Sequence, residues 1–572
     1  MESNNDDIHD YYVGDHQKSE EKGVSSHHER PMLSVEEEGN VFSLYSDFLT
    51  TPGFEGVSKF HQQQSNRSSF DKYSGSCVKT PAQHVLHIKE LENVSKPSEG
   101  LTNMAPVSLE RLNSSENRFR MLKQKQLVNS YDETADPVGR ERLSTEEVVR
   151  VAGARYIQFA DQRHSDFPTI QHPFGYALEG LSEEETRDVE IAHVLLSAAE
   201  KVGNQQLDSA CRLLSRCELM ACEKVNPVHR VANCFAEALR EKIDKETGKF
   251  KEERPEIIPE RDVLQGLSTD LAFLVCYQKV PINQATHLTA VQTIFENVES
   301  VRKLHIIDLE IRSGVQWSAM MQAIAGRGQP PVKHLKISAI SRLGSENKTQ
   351  EIGKYLENLA QALKIPFTFV PVYMLSLDDI KEEHFKIAPD ESVVVFCDKI
   401  LRTTVATPRS LENLMRVIKN LNPSLMVVVE VEANHNSPTF VERFIEALFY
   451  FSAYFDCIDT CMSEAVEQRT VIEAIFFHGI RNILTMEGRE RTCRSVEMEV
   501  WRAFFARYKM VEMDSSESSR YQANLVLGKF PFGHLCSIKK DGKSLHFGWK
   551  GMPLLSLSAW KFSKEILGRI IV

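Results

Sequence analysis

From Asp188 onward, apolar residues fall at helical spacing: Val189, Ala192, Leu195, Leu196 and Ala199 share one stripe, and Gly203 offers a stop. A second stripe carries Leu207, Ala210, Cys211, Leu214 and Cys217. A third opens with Asn226 as a cap and Pro227 at the first helical position, then places Val228, Val231, Ala232, Phe235, Leu239 and Ile243 on one side. Three amphipathic helices in series predict a helical subdomain. Leucine-rich stripes of this kind form internal core, or in part face another chain, which would make Leu195, Leu196, Leu207, Leu214, Phe235 and Leu239 a pairing surface. A mainly charged stretch over 244–261 then leads to another apolar helical pattern over 263–277.

At Leu304 the period changes. Residues 304–308 (LHIID) form a short apolar run ending in a carboxylate, followed by a glycine and an amphipathic segment, the pattern of a buried parallel strand, a tight turn and a crossover helix. Further strands are predicted over 335–340, 366–372, 392–396 (SVVVF) and 425–431 (LMVVVEV), with helices over 352–363, 440–455 and 471–484. Continuous apolar strands alternating with helices predict a doubly wound parallel sheet. The end of the chain differs: 521–527, 537–538 and 544–547 read as short strands, and the Asp541-Gly542 turn predicts an antiparallel hairpin at a sheet edge.

Before about residue 185 the composition shifts to Ser, His, Asp, Glu, Gln and Asn with scattered apolar positions, too few to offset the entropy of ordering. Residues 1–185 therefore read as a mostly disordered arm. Within it, residues 34–56 interleave acids with Val41, Phe42, Leu44, Tyr45, Phe48, Leu49 and Phe54, either a segment that folds against a partner or a chance cluster in a linker. The net charge of -12 disfavours sequence-independent binding to phosphate backbones. Lys333, Lys336, Arg342, Arg402 and Arg409 offer at most a local positive surface, and solvated loops explain them as well. The acidic amino terminus lacks the apolar core of a signal peptide and no later run is apolar enough to span a bilayer, so an intracellular, soluble chain is expected. Eleven cysteines lack metal-ligand spacing, Cys457 and Cys461 standing one helical turn apart, and read as buried thiols. No metal is expected.

In open α/β sheets, ligands occupy the crevice beyond the carboxyl ends of the strands, where Asp308 and Glu310 fall. A nucleotide-like cofactor there needs a glycine-rich turn, whereas residues 308–314 (DLEIRSG) contain the single glycine Gly314 and bulky side chains. The two carboxylates either hydrogen-bond a ribose or an amine, or cap backbone donors. Glu430 and Glu432, with His435 nearby, carry the same ambiguity, and no nucleophile with a neighbouring base is identifiable.

Taken in order, these segments resemble the plant GRAS family from about residue 188 to the carboxyl terminus. Leu304, His305, Ile306, Ile307 and Asp308 are similar to its VHIID core, with Gly314, Gln316 and Trp317 following as expected. RVANCFAEAL at 230–239 resembles the end of a first leucine-rich segment, and 356–363 falls in a second. Pro366, Phe367 and Tyr373 match the block named PFYRE, EANHNS at 432–437 is family-like, and VEQR at 466–469 loosely matches an RVER position. Arg481-Asn482-Ile483, Trp501 and Arg502 continue the pattern, and Ser558, Ala559 and Trp560 close it as the SAW block. Glu310 stands where the family often has Asp and Ser318 where it often has Pro; the arm shows neither a DELLA nor a TVHYNP-like stretch.

The resemblance implies a Rossmann-like, class I methyltransferase-like parallel sheet wrapped by helices, with an antiparallel edge hairpin and an α-helical cap. It divides the chain into the arm and a GRAS domain over 186–572, the cap over 186–295 and the α/β core over 300–572. It implies a nuclear transcriptional regulator, not an enzyme and without a cofactor, that binds DNA-binding factors and other GRAS proteins. Asp308, Glu310, Gly314 and Glu430 would then line a vestigial pocket, and the alternative is an S-adenosylmethionine-dependent methyltransferase or a ligand-sensing regulator on the same fold. Trp317, Trp501, Trp549 and Trp560 are expected in the core.

Overall fold

The structure, a computed structural model, describes residues 142–162, 181–223, 226–249, 269–298, 300–326 and 332–563. Its elements run α1 (Thr145–Gln162), α2 (Glu183–Gly203), α3 (Leu207–Met220), α4 (Pro227–Glu246), α5 (Thr269–Lys279), α6 (Pro281–Asn297), β1 (Lys303–Asp308), α7 (Val315–Ala325), β2 (His334–Arg342), α8 (Glu346–Ala362) and β3 (Phe367–Met374). They continue with β4 (Ser392–Asp398), α9 (Leu401–Thr404), α10 (Pro408–Leu421), β5 (Leu425–Val431), α11 (Phe440–Cys461), α12 (Val466–Thr485), α13 (Met498–Arg507), β6 (Met510–Met513), α14 (Glu517–Leu527), β7 (Cys536–Asp541), β8 (Ser544–Trp549) and β9 (Met552–Phe562).

Among the described residues nine strands join one sheet, ordered β3-β2-β1-β4-β5-β9-β8-β7, with β6 pairing β9 beside β8. The first five strands are parallel and the rest antiparallel. Strand alternation separates two cores. Ile306, Ile337, Val394 and Val427 face the cap together with Trp317 of α7 and Ile352 of α8. Ile307, Val395 and Val428 face Leu414 and Met415 of α10 and Trp501 of α13. Helices on opposite faces either side of β1 and β4 make the sheet doubly wound, as the apolar runs predict.

The cap begins earlier than the stripes suggest. Helix α1 lies within the stretch read as mostly disordered, packs against α2 and α11, and buries Val148, Val149, Val151 and Ala152. Its amino end is held by Asp456 Oδ1, which accepts from Thr145 N at 3.1 Å. Residues 1–141, including 34–56, and 163–180 lie outside the described residues. The predicted cap at Asn226 forms: its Oδ1 accepts from His229 N at 2.9 Å, while its Nδ2 donates to both oxygens of Asp188 at 3.1 and 3.0 Å. Asp188 thereby ties α2 to the start of α4.

Two expectations are corrected. Residues 521–527 are not a strand but the end of α14, capped by Ser516 Oγ, which accepts from Ser519 N at 2.8 Å. Tyr521, Ala523, Leu525 and Leu527 alternate like a strand, yet Ala523 and Leu527 are buried and Tyr521 and Leu525 exposed, the four-residue spacing of a helix. The leucine-rich stripes are internal core: Leu195, Leu196, Leu214, Phe235 and Leu239 are buried and Leu207 partly buried against them, because α2, α3 and α4 pack on one another and on α11 and α12. These side chains are not available to a partner in the folded chain.

Candidate site at the carboxyl ends of the parallel strands

The parallel order reverses between β1 and β4, and the carboxyl ends of these two strands and of β5 meet at that point. Asp308 ends β1 and is fully buried. Its Oδ2 accepts from Trp317 Nε1 at 2.8 Å and Gln316 Nε2 at 3.4 Å, and its Oδ1 accepts from Glu310 N at 3.1 Å. Burial pushes its carboxyl up to about 7 against the pull of the Trp317 hydrogen bond. The residue therefore stitches strand to turn to helix with every donor it has gathered, which is the capping alternative of the two that its position allows.

Gly314 caps α7 at φ 70° in the left-handed region, where a Cβ would stand 2.9 Å from Ile352 Cγ2. Its glycine identity answers to the turn and to α8 packed against it. Behind it, the Trp317 and Phe396 rings meet edge to face with centroids 5.1 Å apart, and His287 also meets Phe396 edge to face, at 6.5 Å. Aromatic core thus occupies the space next to the turn.

Asp398, which ends β4, was not singled out from the sequence, although a carboxylate closing the strand beside β1 is the signal that could have found it. Burial would raise its pKa, but Lys399 and His287, whose Nε2 lies 3.4 Å from Oδ2, together with Arg312 hold it well below the usual carboxylate range. Arg312 also donates from Nη2 to Glu310 Oε2 at 2.8 Å, forming the half-exposed mouth of the cluster.

Glu430, buried on β5, accepts from Leu401 N through Oε1 at 2.8 Å, while Oε2 meets no partner among the described residues. Burial raises its pKa to about 7 against the field of Arg402. Glu432, just past the end of β5, accepts from Met498 N at 3.2 Å, and burial likewise raises it to about 7. Asp308, Glu310 and Glu430 are therefore brought to one end of the sheet, and Gly314 sits at the adjoining helix start.

The other motif residues hold the fold together. His305 is buried between Glu391 (Nδ1 at 2.9 Å) and Ser338 (Nε2 at 2.8 Å), and burial lowers its pKa to about 4. Arg502 donates from Nη2 to Asp541 O at 2.6 Å and Ser544 Oγ at 2.9 Å, latching the hairpin to α13. Trp560 Nε1 donates to Ser558 Oγ at 2.9 Å, and all four tryptophans are buried. Lys336 does not contribute positive surface as suggested: its ammonium is buried, donating to Phe385 O at 3.0 Å and Lys386 O at 2.8 Å. The ten described cysteines are free thiols.

The match to known proteins covers the same elements. A model of the GRAS domain family matches residues 191–561. DELLA protein RGL1 of Arabidopsis thaliana is 30% identical over 385 residues, covering 67% of this chain and 72% of that protein. DELLA protein GAI1 of Vitis vinifera is 28% identical over 390 residues, covering 67% and 64% respectively. The solved structure of SCL7 from Oryza sativa is similar with a TM-score of 0.57 at 25% identity, over 65% of this chain and 99% of that one.

Proposed function

Because this chain belongs to the GRAS domain family of plant regulators, we propose that it is a nuclear transcriptional coregulator, a scaffold that binds DNA-binding factors and other GRAS proteins instead of carrying out chemistry. The observation that carries this reading is the use made of Asp308. The carboxylate best placed to grip a cofactor is spent on Trp317, Gln316 and the Glu310 amide. A turn already filled by its own hydrogen bonds and by Ile352 is suited to rigidity.

In this reading the residues before α1 recruit variable partners, the domain from α1 onward is the platform, and the cap, α1 included, supplies a pairing surface. With the leucine stripes buried, that surface is built from what the cap leaves outside, such as Leu219, 75% exposed at the end of α3. The chain's acidic balance suits indirect association with DNA through a partner. Tethering the full chain to a heterologous DNA-binding module in plant nuclei should change the output of a reporter carrying the matching site. An unchanged output, with the fusion present in the nucleus, overturns the regulator reading.

A second reading, a small-ligand sensor or methyltransferase at the same strand ends, is favoured by Glu430 Oε2, buried without a partner among the described residues. Calorimetric titration with S-adenosylmethionine separates the two. Micromolar binding lost in Glu430→Gln supports the ligand site, and silence at millimolar ligand leaves the scaffold.

A further inference from the structure

Away from the strand ends, three arginines converge where the first turn of α11 meets the irregular loop between α12 and α13. Arg443 is 2% exposed, donating from Nη1 to Ser437 O at 3.2 Å and Pro438 O at 3.1 Å, and from Nη2 to Glu487 Oε1 at 2.6 Å. Arg494 donates from Nη1 to Asn436 Oδ1 at 2.9 Å, from Nη2 to Gly488 O at 2.5 Å, and from Nε to Arg491 O at 2.9 Å. Arg491 itself is 5% exposed, and its Nε and Nη1 meet no acceptor among the described residues; nor does Arg443 Nε. Ser495 Oγ, one residue beyond Arg494, is likewise buried without a partner.

The cluster is out of balance. Among the described residues the one carboxylate paired with these guanidiniums is Glu487, whose side chain is 57% exposed and so marks where the cluster opens to solvent, while Glu442 beside it is engaged by Ser437 Oγ. Burial, then the fields of Arg443 and Arg494, push Arg491 down to about 9. A buried guanidinium lacking acceptors is destabilising unless something supplies the missing charge and lone pairs. Arg491 and Arg494 pair with no carboxylate among the described residues, and their donors are planar forks suited to tetrahedral oxyanions. A phosphate group at neutral pH brings about -1.5 to -2 charge and three strong acceptor oxygens.

We propose that Arg443, Arg491 and Arg494 form a binding site for a phosphate-class oxyanion, either inorganic phosphate or the phosphate monoester of a small metabolite. The site neither uses the strand-end carboxylates nor depends on the coregulator reading. Bound there, the anion joins the start of α11, the 432–439 loop after β5 and the 486–497 loop, so its occupancy sets the rigidity of that corner of the sheet.

The test uses the purified full chain, with melting temperature and calorimetry read against sodium phosphate, glycerol phosphate and sodium chloride at matched ionic strength. Inorganic phosphate should raise the melting temperature saturably where chloride does not. A response to glycerol phosphate as well identifies the monoester as a source, and its absence identifies the free anion. Arg491→Gln should abolish the phosphate response while melting no lower than the natural chain in chloride, since an uncompensated charge has gone. Glu487→Gln, at an exposed position, should tighten phosphate binding about three- to tenfold by removing the competing anion. Phosphate acting no differently from chloride overturns the site, as does an Arg491→Gln chain that responds like the natural one. Should Arg491→Gln not fold, an unchanged phosphate affinity in Glu487→Gln overturns it alone.

Discussion

Leu195 and Leu214 are 1% and 0% exposed between helices of the same chain, so an aspartate at either position buries a carboxylate without a partner. Leu195→Asp and Leu214→Asp should each cost roughly 4 kcal/mol or more and lose the cooperative thermal transition, whatever partner is present. A folded variant selectively deficient in partner binding would return these leucines to an interface. Glu430 yields a prediction of a different kind. Its carboxyl holds a proton up to about 7 when folded against an ordinary value of 4.5, so between these values the folded chain binds a proton the unfolded chain has released. Its contribution to stability therefore falls as pH rises through that window. Glu430→Gln, which keeps the acceptor for Leu401 N, should melt higher than the natural chain at pH 8 and level with it at pH 4; parallel melting curves would refute the shift. Asp308 was legible in the sequence because it ends an apolar run. Arg443, Arg491 and Arg494 were not, since charges 48 and 3 residues apart leave no periodic trace and only the packing of α11 against two loops unites them.

Among the elements, β1, β2, β4 and β5 were readable because strands buried on both faces are mostly apolar, and these, with the partly exposed edge strand β3, all fall within a few residues of their predicted spans. The strand reading of 521–527 failed because Tyr521 and Leu525 are exposed apolar residues, which a rule of hydrophobic-inside cannot anticipate. Helix α1 was missed because its stripe stands alone in a polar stretch, and its burial depends on α2 and α11. The turn into α7 gives the sharpest test at this scale. Gly314→Ala forces a side chain into the left-handed region and against Ile352, at a cost of roughly 1–3 kcal/mol. Chemical denaturation should show this loss with an unchanged m-value, and no loss would mean the turn relaxes freely.

Across the whole molecule, Asp456 of α11 binds three groups from two distant segments at once: Thr145 N of α1, and Trp549 Nε1 at 2.6 Å with Lys550 Nζ at 2.9 Å at the end of β8. Asp456→Ala leaves a buried indole donor and an ammonium unpaired, and should destabilise the chain by about 3 kcal/mol. Limited proteolysis should then cut first near residue 145; resistance there equal to that of the natural chain would show that α1 is held by its apolar face alone. β9 has a wider consequence. It follows every other strand in sequence, yet it pairs with β5 on one side and with β6 and β8 on the other. During synthesis the parallel half of the sheet must therefore wait, its β5 edge unpaired and open to wrong partners, until residues 552–562 leave the ribosome. A nascent chain of this topology is a natural client for chaperones, and a premature stop anywhere before β9 yields a sticky fragment and not a shorter regulator.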